Sequence, residues 1–344
     1  MGNLAITYQH IADILSFTSS NSKLEKTLKK SNFDWDSIVI EGSRHLVLPA
    51  IFCRLKSKKL LHTLPKELES YLEEITAINR NRNKTILKQI HKISNLLNEN
   101  KIDYVFLKGA ALLALGCYED NAERMVGDID ILVAETQIKS ASQIIKNNGY
   151  NFNYGYAYKT IDYRHLDRLI SNTELAAIEL HSNLLKKNYR YLIDIDKVLK
   201  SKSKVFDIYI PSNHYLSKHN VYAWQINDSG YYYKAIHLKH YYDSIKLNLD
   251  SNQDLLQDLT TNKYGEFYLQ IAQMYFTEFK NIPITKKSKS FKKQHINYLD
   301  NWFYKNVLVP IKKSQYFFST RYQLIINNKY YRQHLIKKIF LQKI

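Results

Sequence analysis

Apolar residues recur at helical spacing through the first hundred positions. The clearest stretch is residues 85–98, where Ile86, Leu87, Ile90, Ile93, Leu96 and Leu97 stand three and four apart. They share one face of a helix, and that face is buried. Leu64-Pro65-Lys66 reads as a helix start, because proline suits a first turn. The pattern changes after Asp103. Tyr104-Val105-Phe106-Leu107 is a short apolar run ending at Lys108-Gly109, and residues 110–115 suit a helix. A strand, a glycine turn and a helix are predicted there. A loop through Glu119-Asp120-Asn121 leads to Gly127-Asp128-Ile129-Asp130-Ile131-Leu132-Val133, whose acids and aliphatics alternate as on a strand with one charged face. A helix is predicted over 136–147, with Gly149 as its stop. Residues 158–170 and 174–181, around the turn residues Ser171-Asn172-Thr173, predict a hairpin. Beyond Asn183 helical patterns return. Pro211-Ser212-Asn213 caps one helix, residues 235–247 form a second, 252–262 read as a polar connection, 264–279 as a helix and 283–289 as a linker.

A chain of 344 residues predicts two or three folding units. Its 45% hydrophobic and 24% charged residues are those of a soluble globular protein with a real core. No run approaches the roughly 18 apolar residues of a membrane span, and the N-terminus lacks a basic then apolar leader, so a cytoplasmic location is expected. Met1-Gly2-Asn3 fails the myristoylation pattern, because Ile6 stands where Ser or Thr is needed. Cys53 and Cys117 are too few for a disulfide framework and read as separate reduced thiols.

Net charge is +18 and unevenly spread. From Lys280 onward fifteen basic residues face one acid, Asp300, so +14 of the charge lies in the tail. Trp302, Phe303, Tyr304, Tyr316, Phe317, Phe318, Tyr322, Tyr330 and Tyr331 are interleaved with those cations. Two readings fit: a surface that stacks bases and neutralises phosphates of single-stranded RNA, or helices that bury aromatic faces and show lysine to water.

Candidate chemistry is concentrated between residues 104 and 181. Two carboxylates at i and i+2 on a strand project to one face, the spacing needed to reach shared metal ions. Asp128 and Asp130 have that spacing. Adjacent acids repel unless a cation sits between them, and magnesium is the ion whose ligands are oxygens and phosphates. Alone, such a pair is too common to refute a solvent-facing strand that does nothing. Here Lys108-Gly109 precedes a helix, whose N-terminal amides suit a phosphate. Other signals are weak. Asp250-x-Asn252-x-Asp254 lacks the glycine and glutamate of a calcium loop, and His214, His219, His237 and His240 have no zinc-site spacing. His10, His45, His62 and His91 are scattered.

Leu107-Lys108-Gly109-Ala110, Arg124, Gly127 to Val133 and Ile178-Glu179-Leu180-His181 resemble, in this order, the uncharacterised nucleotidyltransferase family of the DNA polymerase β superfamily. The similarity covers the chain to about residue 250. It implies an α+β fold: a polymerase-β-like core, a small mixed sheet with flanking helices, set between helical N- and C-terminal regions. The corresponding division is 1–100, 101–185 for the catalytic core, 186–282, and 283–344 for the basic tail. It also implies metal-dependent transfer of a nucleoside monophosphate from an NTP to an acceptor hydroxyl. Carried over by position, Asp128, Asp130 and Glu179 are the catalytic metal ligands, with Mg2+ or Mn2+ as the ion and ATP as the expected nucleotide. Lys108, Gly109, Arg124 and His181 are expected around the nucleotide. For Arg124 a phosphate contact and a loop-stabilising role stand level, as do, for His181, orientation of an acid and a plain sheet-edge hydrogen bond. The chain departs from the wider superfamily in having Gly109-Ala110 where Gly-Ser is usual, leaving Lys108 to compensate. The acceptor classes are RNA such as a tRNA end, favoured by the tail, a protein side chain, or a small molecule. The rival readings are a non-catalytic nucleotide- or RNA-binding protein that kept the fold, and a tail lying on a membrane surface.

Overall fold

The computed structural model describes residues 3–155, 158, 164–282 and 288–341. Four helices, α1 (Asn3–Leu15), α2 (Asn21–Leu28), α3 (Trp35–Arg44) and α4 (Leu48–Ser57), precede α5 (Lys66–Glu99), which begins directly after Pro65. The expected amphipathic stretch is the second half of this 34-residue helix, with Ile86, Ile90, Ile93 and Leu97 buried. Then come β1 (Tyr104–Phe106), α6 (Lys108–Leu115), β2 (Ile129–Val133), α7 (Ile138–Asn147), β3 (Phe152–Tyr154), β4 (Arg168–Ile170) and β5 (Ile178–His181). Gly149, at φ +98°, turns the chain out of α7 as predicted.

The five strands form one mixed sheet in the order β1-β2-β5-β4-β3. β2 runs parallel to β5, with Asp130 opposite Glu179, and the other pairings are antiparallel. A small mixed sheet flanked by helices is therefore present, as expected. β2 differs from its reading, because all five of its residues are buried and it has no open charged face. Of the predicted hairpin, only β4 and the last four residues of the second arm are strand, and 159–163 lie outside the described residues.

The remaining chain is mostly helical. It runs through α8 (Ile195–Lys200), a hairpin of β6 (Ser203–Val205) and β7 (Ile208–Ile210) that the alternation had not revealed, and α9 (Asn213–Tyr222), extended by a π-helical turn to Asn227. Next are α10 (Gly230–Tyr233), α11 (Leu238–Lys246), α12 (Gln253–Thr260) and α13 (Lys263–Tyr275). The supposed polar connection at 252–262 is largely α12. Asn252 caps it and Leu255, Leu256 and Leu259 are buried beneath it, a stripe too short to outweigh the surrounding polar residues in the sequence. The linker expected at 283–289 falls largely on residues 283–287, outside the described residues.

The tail forms α14 (Ser288–Asp300), α15 (Val309–Asn327) and α16 (Lys329–Leu341). Most of its aromatics are not a buried face. Trp302, Phe303, Phe317, Phe318 and Tyr322 are all more than half exposed, whereas Tyr331 is buried against Tyr158. Among the described residues no helix is long and apolar enough to cross a membrane.

Several histidines are buried uncharged. His295 is fully buried, with Nδ1 donating to the Lys234 carbonyl at 2.7 Å, which leaves Nε2 to accept from the Tyr275 hydroxyl at 3.0 Å. Burial lowers its pKa to about 4. Burial, reinforced by Arg44, likewise brings His45 to about 4, and burial together with His45 brings His237 to about 2. In the unfolded chain each would protonate near pH 6.5. Their contribution to stability is therefore complete above about pH 6.5 and lost as pH falls toward 4. Thermal melts from pH 7.5 to 5 should show the melting temperature dropping below about pH 6.5, at roughly 1 kcal/mol per ring per pH unit. His295→Gln should flatten the slope.

Candidate active site

One face of α5 carries polar side chains in place of the aliphatics of its second half. Asn79 and Asn83 are buried there. The Asn79 amide donates to the carbonyls of Ala122 (2.7 Å) and Arg124 (3.2 Å), and that of Asn83 to Asn121 (2.5 Å) and Arg124 (2.7 Å). Arg82 reaches the carbonyls of Val126 and Gly127. Further along, Gln89 donates to the Ala176 carbonyl at 2.6 Å and accepts from the Ala176 amide at 3.0 Å. Both loops that lead into the paired strands β2 and β5 are thus held by side-chain amides of one helix. Buried backbone groups need such partners where no ladder supplies them.

These loops deliver the acids. Asp130 is 3% exposed, and its Oδ1 accepts from Lys108 Nζ at 2.6 Å and from His181 Nε2 at 2.7 Å. Burial pushes its carboxyl up, but Lys108 and His181 outweigh that and hold it well below the usual range. Asp128, just before β2, is raised instead, by burial and then by repulsion from Asp130 and Glu179. Arg168 of β4 bridges the remaining pair, with Nη2 at 2.7 Å from Asp128 Oδ2 and 2.8 Å from Glu179 Oε1. The repulsion expected from the Asp-x-Asp spacing is real, and two cationic side chains answer it. Arg168 was not foreseen. Its signal was a cation on the first arm of the hairpin, where it can face Glu179 on the second.

The Lys-Gly turn works differently from its reading. Lys108, not Gly109, takes the left-handed conformation, at φ +49°. At Gly109 a Cβ would stand 3.0 Å from a Val126 methyl, so glycine allows α6 to approach the loop before Asp128 closely. The first turn of α6 and the acids then share a cavity of about 290 Å³. Lys108, Gly109, Arg124, Asp128 and Asp130 line it on the core side, and α9 and α11 close the other side. Five of the predicted residues thus line one cavity, whereas Glu179 and His181 do not line it and join the acids through Arg168 and Asp130. Arg124, although at the cavity, is engaged: its Nε donates to Asp243 of α11 at 3.0 Å and Nη1 to the Met125 carbonyl at 2.6 Å. Asp243 also accepts from the Tyr118 hydroxyl at 2.7 Å.

The donor set fits a hard divalent ion. Asp130, Glu179 and His181 each offer one atom within 4.8 Å of one another, and Asp128 joins Glu179 through a shared Arg168 nitrogen. Among these, His181 is the weakest ligand. Burial keeps it neutral with a pKa of about 4, and its Nε2 proton is committed to Asp130, so it orients that carboxylate. Three carboxylates beside an anion-accepting helix start are the oxygen-rich environment that Mg2+ or Mn2+ prefers.

Residues 31–263, the whole sheet and both walls of the cavity included, match the uncharacterised nucleotidyltransferase family. The chain belongs to this family. No curated protein matches it. As a member of a nucleotidyltransferase family, the protein places its acids and the start of α6 inside the matched segment, and the tail lies beyond it.

The Arg124–Asp243 pair ties the loop before β2 to α11, and both side chains are almost fully buried. Removing one partner leaves a buried charge uncompensated, so Arg124→Met should cost about 3–5 kcal/mol in chemical denaturation. The double variant Arg124→Met, Asp243→Leu should recover much of the loss. A single variant as stable as wild type would show that the pair does not anchor the loop.

Proposed function

We propose that this site transfers a nucleoside monophosphate from an NTP, ATP first among candidates, to an acceptor hydroxyl within a polymerase-β-like core. The observation that carries the reading is the β2–β5 register, which sets Asp130 beside Glu179 with Asp128 next to them, at the mouth of a cavity that the start of α6 also enters. In the reaction the acceptor oxygen bonds to the α-phosphorus, the bond from that phosphorus to the bridging oxygen breaks, and pyrophosphate leaves. Glu179, opposite Asp130 on β5, would take the acceptor proton. Divalent ions bound by Asp128, Asp130 and Glu179 would lower the acceptor's pKa and neutralise charge on the leaving group. His181 holds Asp130 by a hydrogen bond, and Lys108, now bonded to that carboxylate, would meet phosphate where a bound ion balanced its charge. Asp128→Asn and Asp130→Asn should each lower magnesium-dependent release of pyrophosphate by at least about 100-fold while leaving the circular-dichroism spectrum unchanged. Wild-type turnover in either variant would remove the ligand assignment.

RNA is the acceptor class that the exposed tail supports best. Its uncovered aromatics lie among cations and reach the core through Lys186, whose Nζ donates to the Tyr316 hydroxyl at 3.2 Å while its backbone and amine hold Asn227 and Ile226 beside the cavity. Neutralising phosphates makes binding fall with salt, by about 0.7 in log affinity per log salt for each phosphate of a single strand. Reversing Lys313, Lys337 and Lys338 to glutamate should weaken single-stranded RNA binding and flatten that dependence, with NTP turnover on a small acceptor retained. An unchanged salt slope would turn the acceptor reading toward a protein or small molecule.

A further inference from the structure

The cavity wall opposite the acids carries polar groups that the carboxylate cluster does not use. His219 of α9 is 3% exposed, lines the cavity and has no hydrogen-bond partner among the described residues. Lys239 of α11 is half-buried on the same wall and forms no ion pair among the described residues. Arg164, from the segment before β4, reaches the cavity with its guanidinium likewise unmatched among them. By contrast, Lys108 is matched by Asp130, Arg124 by Asp243 and Arg168 by Asp128 and Glu179. Across the gap, the amides of Gly109 and Ala110 in the first turn of α6 have no acceptor among the described residues. Two acids line this side: Asp243 is paired with Arg124, and Asp228, at the rim, acts on Lys239 and Arg164 without forming an ion pair with either among the described residues.

Unmatched buried donors are costly unless something satisfies them. Two cations without an ion pair among the described residues, a buried imidazole and the Gly109 end of the first turn of α6 line one space, and each of them favours an anion with many oxygens. We propose that this wall is a polyphosphate site: Lys239 and His219, assisted by Arg164, clasp the phosphate chain of the nucleotide against the first turn of α6. The identity of the nucleotide rests on the nucleotidyl-transfer reading, but the anion site does not. Burial, then Arg124, brings the Lys239 ammonium down to about 8, so it is still mainly charged at neutral pH and gains most when an anion arrives. Burial, then Lys108, holds His219 at about 3, so it acts as a neutral N–H donor. With its phosphate chain on this wall, the nucleotide turns its α-phosphorus toward Asp128 and Asp130, and the departing pyrophosphate remains on the cations.

The test is calorimetric binding of inorganic tripolyphosphate, with magnesium present, to the full-length protein and its variants. Wild type should bind it. Lys239→Met and His219→Phe should each weaken binding by about tenfold, Lys239→Arg should stay within about threefold of wild type, and Lys139→Met, on an exposed face of α7, should match wild type. Thermal melts of each variant separate lost binding from lost folding, and Lys239→Arg keeps the comparison usable if Lys239→Met is unstable. No tripolyphosphate binding by wild type, or equal binding by wild type, Lys239→Met and His219→Phe, would overturn the proposal. Binding that depends on Lys239 without any NTP turnover would keep the anion site and remove the transferase reading. Turnover with binding indifferent to Lys239 would do the reverse.

Discussion

Three carboxamides on α5 hold the two loops on which everything at the site depends. Asn79 and Asn83 satisfy carbonyls of the segment leading to Asp128, and Gln89 pairs with both backbone groups of Ala176 just ahead of β5. Neither loop has a ladder of its own to satisfy these groups. A buried carbonyl without a donor costs on the order of 1–3 kcal/mol, so the loops sit where α5 offers donors. Because β2 and β5 are parallel neighbours, holding the start of each fixes their register, and the register puts Asp130 beside Glu179.

The second constraint is charge taken out of water. Asp130 is almost completely buried, and its ionised state survives because an amine and an imidazole reach it from two different elements, α6 and β5. This arrangement brings the first turn of α6 to the acids. Arg168 plays the same part for Asp128 and Glu179 from β4. In the proposed chemistry this acid cluster, neutralised here by protein cations, would exchange those cations for metal ions and phosphates, and this links the buried electrostatics to the proposal.

The helices after the sheet are more than a cover. Asp243 of α11 takes up the charge of Arg124, and Lys239, four residues earlier at the same cavity wall, forms no ion pair among the described residues. The cavity is therefore divided by chemistry, with carboxylates on the sheet side and donors on the helical side.

Much of this was legible in the chain. The strand that carries Asp130, though not its start after Asp128 or its full burial, the strand-turn-helix at Lys108, the long amphipathic helix and the Glu-x-His strand depend on local alternation and spacing, which are properties of a few consecutive residues. The resemblance in their order carried the family. What tertiary structure decided was pairing between residues far apart: Arg124 spent on Asp243, Arg168 bridging Asp128 and Glu179, Asn79 and Asn83 serving a loop some forty residues away, and His219 left without a partner among the described residues. Even the roles within Lys108-Gly109 were exchanged, since which residue turns left-handed depends on how closely α6 must pack on Val126. Spacing determines which side chains share a face. Only the folded chain determines what lies opposite that face, and with it whether a charge is matched or left free for a ligand.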